Sequence, residues 1–273
     1  MPQSASTSPS STSSESTANT AFITGATAGI GLATARLFAQ KGWFVGLAAR
    51  NAAKLEELQQ ELGPACCSCH VVDVVDADQV SQALQTFGEY TGGKLHLLVN
   101  NAGVLSAGHF EEISLQHHHA IIDTNIKGVI NCMQAAFPLL KNTADAHVIN
   151  MSSASAMYGS PALASYSASK FAVRALTEAL SVEWARHGIA VSDIMPPFVA
   201  TDMLDNPVRD KIKAISLLGV QLSAEDVAQS VWNSWNTRPL HDRVTKSFKV
   251  LALMQKYAPD LVQRRLVKLL SGY

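Results

Sequence analysis

The chain has 273 residues, of which 47% are hydrophobic and 16% are charged, and this composition is typical of one globular domain of the larger α/β kind. Its net charge of −1 implies neither a polyanion nor an anionic membrane as a partner, and no apolar run approaches the about 20 residues of a membrane span. The four cysteines, three of them at positions 66, 67 and 69, do not form the pattern of a disulfide framework. We therefore expect a reducing, cytoplasmic location and no nucleic-acid partner.

Residues 1–19 are dominated by Ser and Thr. They contain neither the apolar stretch of a secretory signal nor the arginines of an organelle transit peptide. We expect a disordered tail here. A domain over 20–245 and an amphipathic helical extension over 246–273 are expected to follow.

A glycine-rich stretch at residues 24–31 reads TGATAGIG, between a short apolar run and a helical pattern over 32–40. Glycines at 25, 29 and 31 allow a tight turn and a close approach of the backbone to a phosphate. The helix amino terminus then offers free N–H groups and a positive dipole end to a pyrophosphate. The stretch predicts a dinucleotide site, and a glycine turn without a ligand is the alternative.

A second buried strand is predicted over 43–49, and its end bears on the choice of dinucleotide. An NAD-binding domain usually has Asp or Glu about 20 residues past the glycine loop, bonded to the ribose 2′-hydroxyl. Here Ala49 is followed by Arg50, whose guanidinium can form a forked pair with a 2′-phosphate. NADP(H) is favoured over NAD(H); a solvated arginine in a loop is the alternative.

A helix over 52–62 and a third strand over 66–72 come next. Cys66, Cys69 and His70 lie in this strand, where a C-x-x-C spacing turns its two members to opposite faces. No second pair completes four-coordination, so we predict core residues and no metal site.

A helix over 76–87 and a strand over 95–99 lead to Asn100-Asn101-Ala102-Gly103, whose amides we expect to tie neighbouring strands together. A long helix is then predicted over 114–139. It begins with His117-His118-His119, which point in three directions and cannot chelate one ion, so a polar, partly exposed face is expected. Asn125 lies two turns further along the same helix.

Tyr166 and Lys170 are four residues apart on a helix predicted over 165–186, so they share one face. A phenol has an unperturbed pKa of about 10, and a fixed ammonium beside it favours the phenolate. Ser153 follows an apolar strand over 146–151 and should project at its carboxyl end, where open α/β sheets bind ligands. The three residues together predict an acid–base centre.

A strand over 189–194 precedes Met195-Pro196-Pro197-Phe198-Val199-Ala200-Thr201. The segment 202–222 includes the apolar residues Leu204, Ile212, Ile215, Leu217 and Leu218. A helix capped by Ser223, a strand over 240–245 and one basic amphipathic helix over 248–270 complete the chain. We expect that last helix to pack on its own domain or a second subunit rather than on a membrane.

The residues TGATAGIG, Asn100-Asn101-Ala102-Gly103, Asn125, Ser153, Tyr166 and Lys170, in this order, resemble the short-chain dehydrogenase/reductase family over roughly 20–235. The resemblance implies a single doubly wound Rossmann domain with a mainly parallel sheet of about seven strands. It also implies hydride transfer between NADP(H) and a secondary alcohol or ketone, with residues 202–222 as a cap over an apolar substrate pocket. An epimerase or dehydratase on this fold, or a non-catalytic NADP(H) sensor, remains open.

The resemblance also implies roles for individual residues. Tyr166 is the acid/base, Ser153 aligns the carbonyl oxygen, Lys170 holds the nicotinamide ribose, and Asn125 distorts its helix and binds a relay water. Pro197 stands where the family usually has glycine, which weakens the match locally. The implied cofactor contacts are Gly25, Thr27, Gly29, Ile30, Gly31, Arg50, Asp73, Val74, Asn101, Ala102, Gly103, Tyr166, Lys170, Pro196, Val199 and Thr201.

Related proteins pair two helices across a two-fold axis, and the two predicted helices around the catalytic residues carry apolar side chains that one sheet does not cover. We expect a homodimer or homotetramer. The residues expected in the contact are Ile126, Val129, Ile130, Met133, Phe171, Val173, Leu176 and Leu180.

Overall fold

The computed structural model describes residues 18–204, 212 and 222–272, except the side chains of residues 204, 255, 256 and 270. Seven strands in these residues form one parallel sheet in the order β3-β2-β1-β4-β5-β6-β7. Short apolar runs buried on both faces are typical of such strands. Their bounds are Thr20–Thr24 (β1), Phe44–Ala49 (β2), Cys67–Val71 (β3), Leu97–Asn100 (β4), His147–Met151 (β5), Ala190–Ile194 (β6) and His241–Asp242 (β7).

Helices connect the strands and cover both faces of the sheet. Two clusters of buried apolar side chains fill the two layers between helices and sheet, and the interiors of β1 and β2 contribute to both. The helices within the described residues are Gly29–Gln40 (α1), Ala52–Leu62 (α2), Ala77–Thr91 (α3), Leu115–Ile122 (α4), Gly128–Lys141 (α5), Ala164–Glu183 (α6), Ala224–Thr237 (α7), Lys246–Tyr257 (α8) and Asp260–Ser271 (α9).

The strand order reverses between β1 and β4, because β2 and β3 extend from one side of β1 while β5, β6 and β7 extend from β4. All strands run in one direction, so their carboxyl ends meet at one edge of the sheet. The reversal leaves a crevice at that edge, where doubly wound proteins bind their ligands. The predicted fold class is confirmed.

The helix predicted over 114–139 is not continuous. It consists of α4 and α5, separated by a π-helical turn at Asp123–Lys127. Such a turn contains one extra residue and shifts the direction of the side chains after it.

Two predictions about the end of the chain are wrong in detail. The last strand has only two residues, His241–Asp242, instead of the six predicted over 240–245. The single helix predicted over 248–270 is two helices, α8 and α9, interrupted at Pro259. Proline lacks the N–H that would continue the helical hydrogen bonds, so a new helix starts after it.

In the described part of the chain, none of the helices combines the length and the apolar character that a bilayer crossing requires. α8 contacts the body of the protein through Phe248, which packs with Ala156 and Met195. Its opposite face remains exposed.

Candidate active site

The glycine loop connects β1 to α1 at the edge where the strand order reverses. Gly25 and Gly29 have φ values of 66° and 50°, in the left-handed region that favours glycine. Gly31 has no such φ, but a Cβ on it would collide with the carbonyl oxygen of Gly25. The backbone therefore folds back on itself, directly before the free N–H groups of the first turn of α1. Thr27 and Ile30 are partly exposed in this loop.

Thr24 fixes the glycine loop to the end of β4, and sequence reasoning missed this role. Its buried hydroxyl accepts hydrogen bonds from the backbone N–H groups of Asn101 and Ala102, both at 3.0 Å. The Asn101 side chain donates in return to the carbonyl oxygens of Thr24 and Gly25, at 2.9 and 3.3 Å. The only sign of this role in the sequence is a residue with a hydroxyl group directly before Gly25.

The predicted tie between strands is confirmed for the asparagine pair. Asn100 donates to the Asn150 side chain of β5 at 2.8 Å, and Asn150 donates to Thr177 of α6 at 2.9 Å. All three residues are buried. This chain of amides connects β4 and β5 to the helix that carries Tyr166.

Arg50 and Asp73 lie at the ends of the two strands on the other side of the glycine loop. Arg50 is exposed directly after β2, whose Ala48 lies beside Thr24 in the sheet. The carboxylate of Asp73 accepts the backbone N–H of Val75 at 3.1 Å, which fixes the turn after β3. Val74 is buried. These residues are placed along the same edge as the loop.

The predicted acid–base residues come together at the ends of β5 and α6. Ser153 follows β5, and its side chain is hydrogen-bonded to that of Tyr166. The Lys170 ammonium lies 5.5 Å from the centre of the Tyr166 ring. It donates at 2.7 Å to the carbonyl oxygen of Met151, the last residue of β5. Tyr166 is half-buried, whereas Ser153 and Lys170 are buried.

The expected lowering of the Tyr166 pKa by Lys170 is not what the surroundings produce. Burial raises the pKa of Tyr166, and only the hydrogen bond with Ser153 acts in the opposite direction. Burial also lowers the pKa of Lys170 to about 8, because a charged ammonium is costly away from water. Both shifts have the same cause, which is the removal of the two side chains from solvent.

Asn125 occupies the middle of the π-helical turn and is buried. Its side chain accepts the backbone N–H of Val104 at 2.8 Å and donates to the Val104 carbonyl oxygen at 3.0 Å. It also donates at 3.0 Å to the hydroxyl of Ser169, which in turn donates to the Tyr166 carbonyl oxygen at 2.7 Å. The expected helix distortion is present, and Ser169 is a further positioning residue that the sequence did not reveal.

Gly103 brings the turn after β4 against this centre. A Cβ at Gly103 would lie 3.2 Å from the Asn125 side-chain oxygen and 3.8 Å from the Lys170 nitrogen. A side chain at position 103 would therefore crowd the Asn125 amide and contact the Lys170 amine.

The segment after β6 crosses the same edge. A Cβ at Gly29 would lie 3.1 Å from a Thr201 methyl carbon, so Thr201 borders the glycine loop. The buried Pro196 accepts the backbone N–H of Ala154 at 2.9 Å, next to Ser153. Val199 is buried and pairs with Leu222. Despite Pro197, this segment spans the distance between the two halves of the site.

An apolar patch adjoins Tyr166. Ala107, Leu163 and Ile212 are buried, and Leu105 and Phe198 pack with them and with Tyr166. Of the five apolar residues named for the segment 202–222, Ile212 has a described side chain, and the side chains of Leu204, Ile215, Leu217 and Leu218 lie outside the described residues.

The three consecutive histidines lie on a partly exposed face, which agrees with the expectation from the sequence. His117 and His119 are exposed, but His118 is buried. Its ring forms hydrogen bonds with the Ser165 hydroxyl at 2.7 Å and the Phe110 carbonyl oxygen at 3.1 Å. It joins α4 to the start of α6, one residue before Tyr166. Nowhere in the described ranges are three His, Cys, Asp or Glu side chains grouped to hold a metal ion.

Comparisons with known proteins place this geometry among nucleotide-dependent oxidoreductases. A model of the short chain dehydrogenase family matches residues 19–212. Oxidoreductase UcpA of Salmonella typhimurium is 39% identical over 196 residues, 71% of this chain and 74% of that protein. An uncharacterized oxidoreductase of Staphylococcus saprophyticus is 34% identical over 192 residues, 69% of this chain and 77% of that protein.

Two solved structures share the fold. A short chain dehydrogenase/reductase from Burkholderia phymatum in complex with NAD has a TM-score of 0.77 and 27% identity, and the match covers 87% of this chain and 92% of that one. ElxO with NADP bound has a TM-score of 0.73 and 27% identity over 82% of this chain and 96% of that one. These neighbours bind both forms of the nicotinamide cofactor.

Proposed function

Because the chain belongs to the short-chain dehydrogenase family and is an oxidoreductase by that membership, we propose that it transfers a hydride between NADP(H) and a secondary alcohol or ketone. The observation that carries the proposal is the contact of Ser153, Tyr166 and Lys170 at the carboxyl edge of the sheet, beside the glycine loop. The remaining geometry is consistent with each part of the reaction.

The residues present fit a dinucleotide. The Gly25–Gly31 turn is so closely folded that a Cβ on Gly31 would collide with the Gly25 carbonyl oxygen. This turn and the N–H groups at the start of α1 form the cradle proposed here for a pyrophosphate. Thr201 borders one side of the turn and Asn101 the other. On the family resemblance, we assign Asp73 and Val74 to the adenine and Val199 and Thr201 to the nicotinamide. When bound, the cofactor supplies or accepts the hydride.

Tyr166 is the group that moves the proton. In reduction its hydroxyl donates a proton to the carbonyl oxygen of the substrate, and Ser153 holds that oxygen by a hydrogen bond. Burial raises the pKa of Tyr166, so in the free protein its protonated form is the stable one at neutral pH. Reduction begins from this form.

Lys170 and Asn125 support the tyrosine. Lys170 carries its charge between β5 and Tyr166, where it would also bind the nicotinamide ribose. With a pKa lowered to about 8, the amine can release and regain a proton close to neutral pH. Asn125 fixes the backbone of Val104, directly after Gly103, which lies beside the Lys170 amine.

The substrate class follows from the patch beside Tyr166. Leu105, Leu163 and Phe198 lie next to the tyrosine within the described residues, together with Ile212. An apolar carbonyl compound would bury its chain there while its oxygen reaches Ser153.

The four free cysteines favour a reducing, cytoplasmic setting.

Replacement of Tyr166 by Phe tests the proposal. The ring is retained and the proton donor removed, so NADPH should bind as in the wild type while turnover of a ketone falls by about 100-fold or more. Fluorescence titration measures the cofactor, and NADPH consumption over a panel of ketones measures turnover. Near-normal turnover in this variant would contradict the mechanism.

A further inference from the structure

The outward face of α8 is apolar although the helix already buries an inward face. Phe248 and Ala252 contact the body, whereas Val250, Leu253, Met254 and Tyr257 follow the spacing i, i+3, i+4, i+7 on the other side. Their exposed fractions are 59%, 60%, 65% and 74%. A helix with two apolar faces needs a partner for the second one.

α9 presents a second exposed apolar face. Val262, Leu266 and Leu269 share one side of the helix at i, i+4 and i+7, with exposed fractions of 53%, 43% and 76%. Arg264 and Lys268 occupy the other side, one turn apart, and Arg265 lies at the border. The helix is therefore amphipathic, and its apolar side is turned away from the described part of the protein.

The charge of this segment differs from that of the rest of the chain. Residues 246–273 contain six Lys or Arg and one Asp, a net charge of +5, while the whole chain carries −1. The remainder is therefore acidic, at −6. Exposed apolar side chains flanked by Lys and Arg are complementary to a surface that has both acyl chains and negative headgroups.

We propose that α8 and α9 form a docking surface for an anionic lipid membrane, on which both helices lie in the interface with their apolar side chains between the headgroups. A second copy of the same helices is a poorer occupant, because two-fold pairing would place +5 beside +5. This replaces our expectation that the basic helix packs only on its own domain or on a second subunit.

The docking surface adjoins the active site. Phe248 of α8 packs against Ala156 and Met195, and Ala156 belongs to the turn that begins at Ser153. Membrane contact would thus hold the Ser153 turn near the lipid surface without using any residue of the catalytic centre. The proposal does not depend on the hydride-transfer reaction.

Co-sedimentation of the full chain with lipid vesicles tests the proposal. At about 0.1 M salt we expect binding to vesicles with about 30% phosphatidylserine and none to pure phosphatidylcholine. Replacing Leu253 and Met254 by Glu should abolish binding. Because each basic residue contributes about fivefold near an anionic surface, replacing Arg264, Arg265 and Lys268 by Glu should weaken it by about 100-fold or more.

Matched control variants distinguish binding through α8 and α9 from non-specific binding of the protein to vesicles. Lys54→Glu/Lys94→Glu reverses exposed charges elsewhere, and Val182→Asp removes an apolar side chain that is 77% exposed on α6. Both should bind vesicles like the wild type, and circular dichroism checks that every variant is folded. Absence of binding by the wild type, or equal losses in the controls, would overturn the proposal. The surface would instead belong to a contact with a second copy if the wild type did not bind vesicles and light scattering gave a lower mass for the Leu253→Glu/Met254→Glu variant than for the wild type.

Discussion

Replacement of Gly31 by Ala gives the sharpest test of the nucleotide cradle. In an ordinary helix this change stabilises a protein by about 0.5–1 kcal/mol, because glycine loses more conformational freedom on folding. Here the new Cβ would collide with the carbonyl oxygen of Gly25 and lie 2.5 Å from the Asn101 side-chain nitrogen. The oxygen belongs to the backbone and cannot swing away.

The loop must therefore move. Overpacking of this kind costs about 1–3 kcal/mol of folding free energy. If only the native loop conformation binds the dinucleotide, the same free energy corresponds to an about 5- to 150-fold weaker affinity for NADPH. The hydrogen bonds from Asn101 to Thr24 and Gly25 would be strained by the same movement. We expect both a higher dissociation constant for NADPH and a lower melting temperature.

NADPH fluorescence titration and thermal unfolding measure the two effects. Gly88→Ala in α3 is the matched control: its Cβ would lie 3.0 Å from the end of the flexible Leu139 side chain, which can rotate. That variant should bind NADPH like the wild type. If Gly31→Ala bound NADPH within a factor of about two of the wild type and melted no earlier, the cradle would not be the binding site.

Three further predictions follow from other parts of the molecule. Arg50→Ala should narrow the preference for NADP(H) over NAD(H) by about 1–3 kcal/mol, and equal affinities of the wild type for the two cofactors would refute the assignment. Ile130→Asp combined with Phe171→Asp, both positions 40% exposed, should convert a homodimer or tetramer to monomers in light scattering; a monomeric wild type would contradict the paired-helix contact. Burial, with the Arg238 charge, lowers the pKa of His147 from 6.5 to about 3, so the unfolded chain takes up the proton first and stability is lost as pH falls below 6.5. Between pH 7 and pH 5, the free energy of unfolding measured with urea should fall by about 2 kcal/mol less in His147→Gln than in the wild type. An equal fall in both proteins would exclude this histidine as the cause.

The interface prediction is narrower than the sequence suggested. Val129, Met133 and Val173 are buried in the core of the protein's own domain and cannot contact a second subunit. Apolar spacing on a helix does not distinguish the side that meets the sheet from the side that meets a partner. Ile130 and Phe171 are exposed and remain candidates.

Most of the strand and helix pattern, the glycine turn and the pairing of Tyr166 with Lys170 could be predicted from the sequence, because each depends on residues close together in the chain. A spacing of four on a helix, or glycine where φ must be positive, needs no knowledge of distant contacts. The break at Pro259 could also have been read from the sequence, since proline ends a helix by its own chemistry.

The contacts that hold the site together could not be predicted from the sequence, because they join residues far apart in the chain. Thr24 is hydrogen-bonded to Asn101, 77 residues away in the chain, and Asn125 to Ser169, 44 residues away. No pattern in the neighbouring sequence indicates either contact. The prediction that Lys170 lowers the pKa of Tyr166 is wrong for the same reason. The four-residue spacing indicates the neighbouring ammonium, but it does not indicate the burial of both groups. Desolvation depends on everything packed around a side chain, and it is the largest cause of the pKa shifts of both Tyr166 and Lys170.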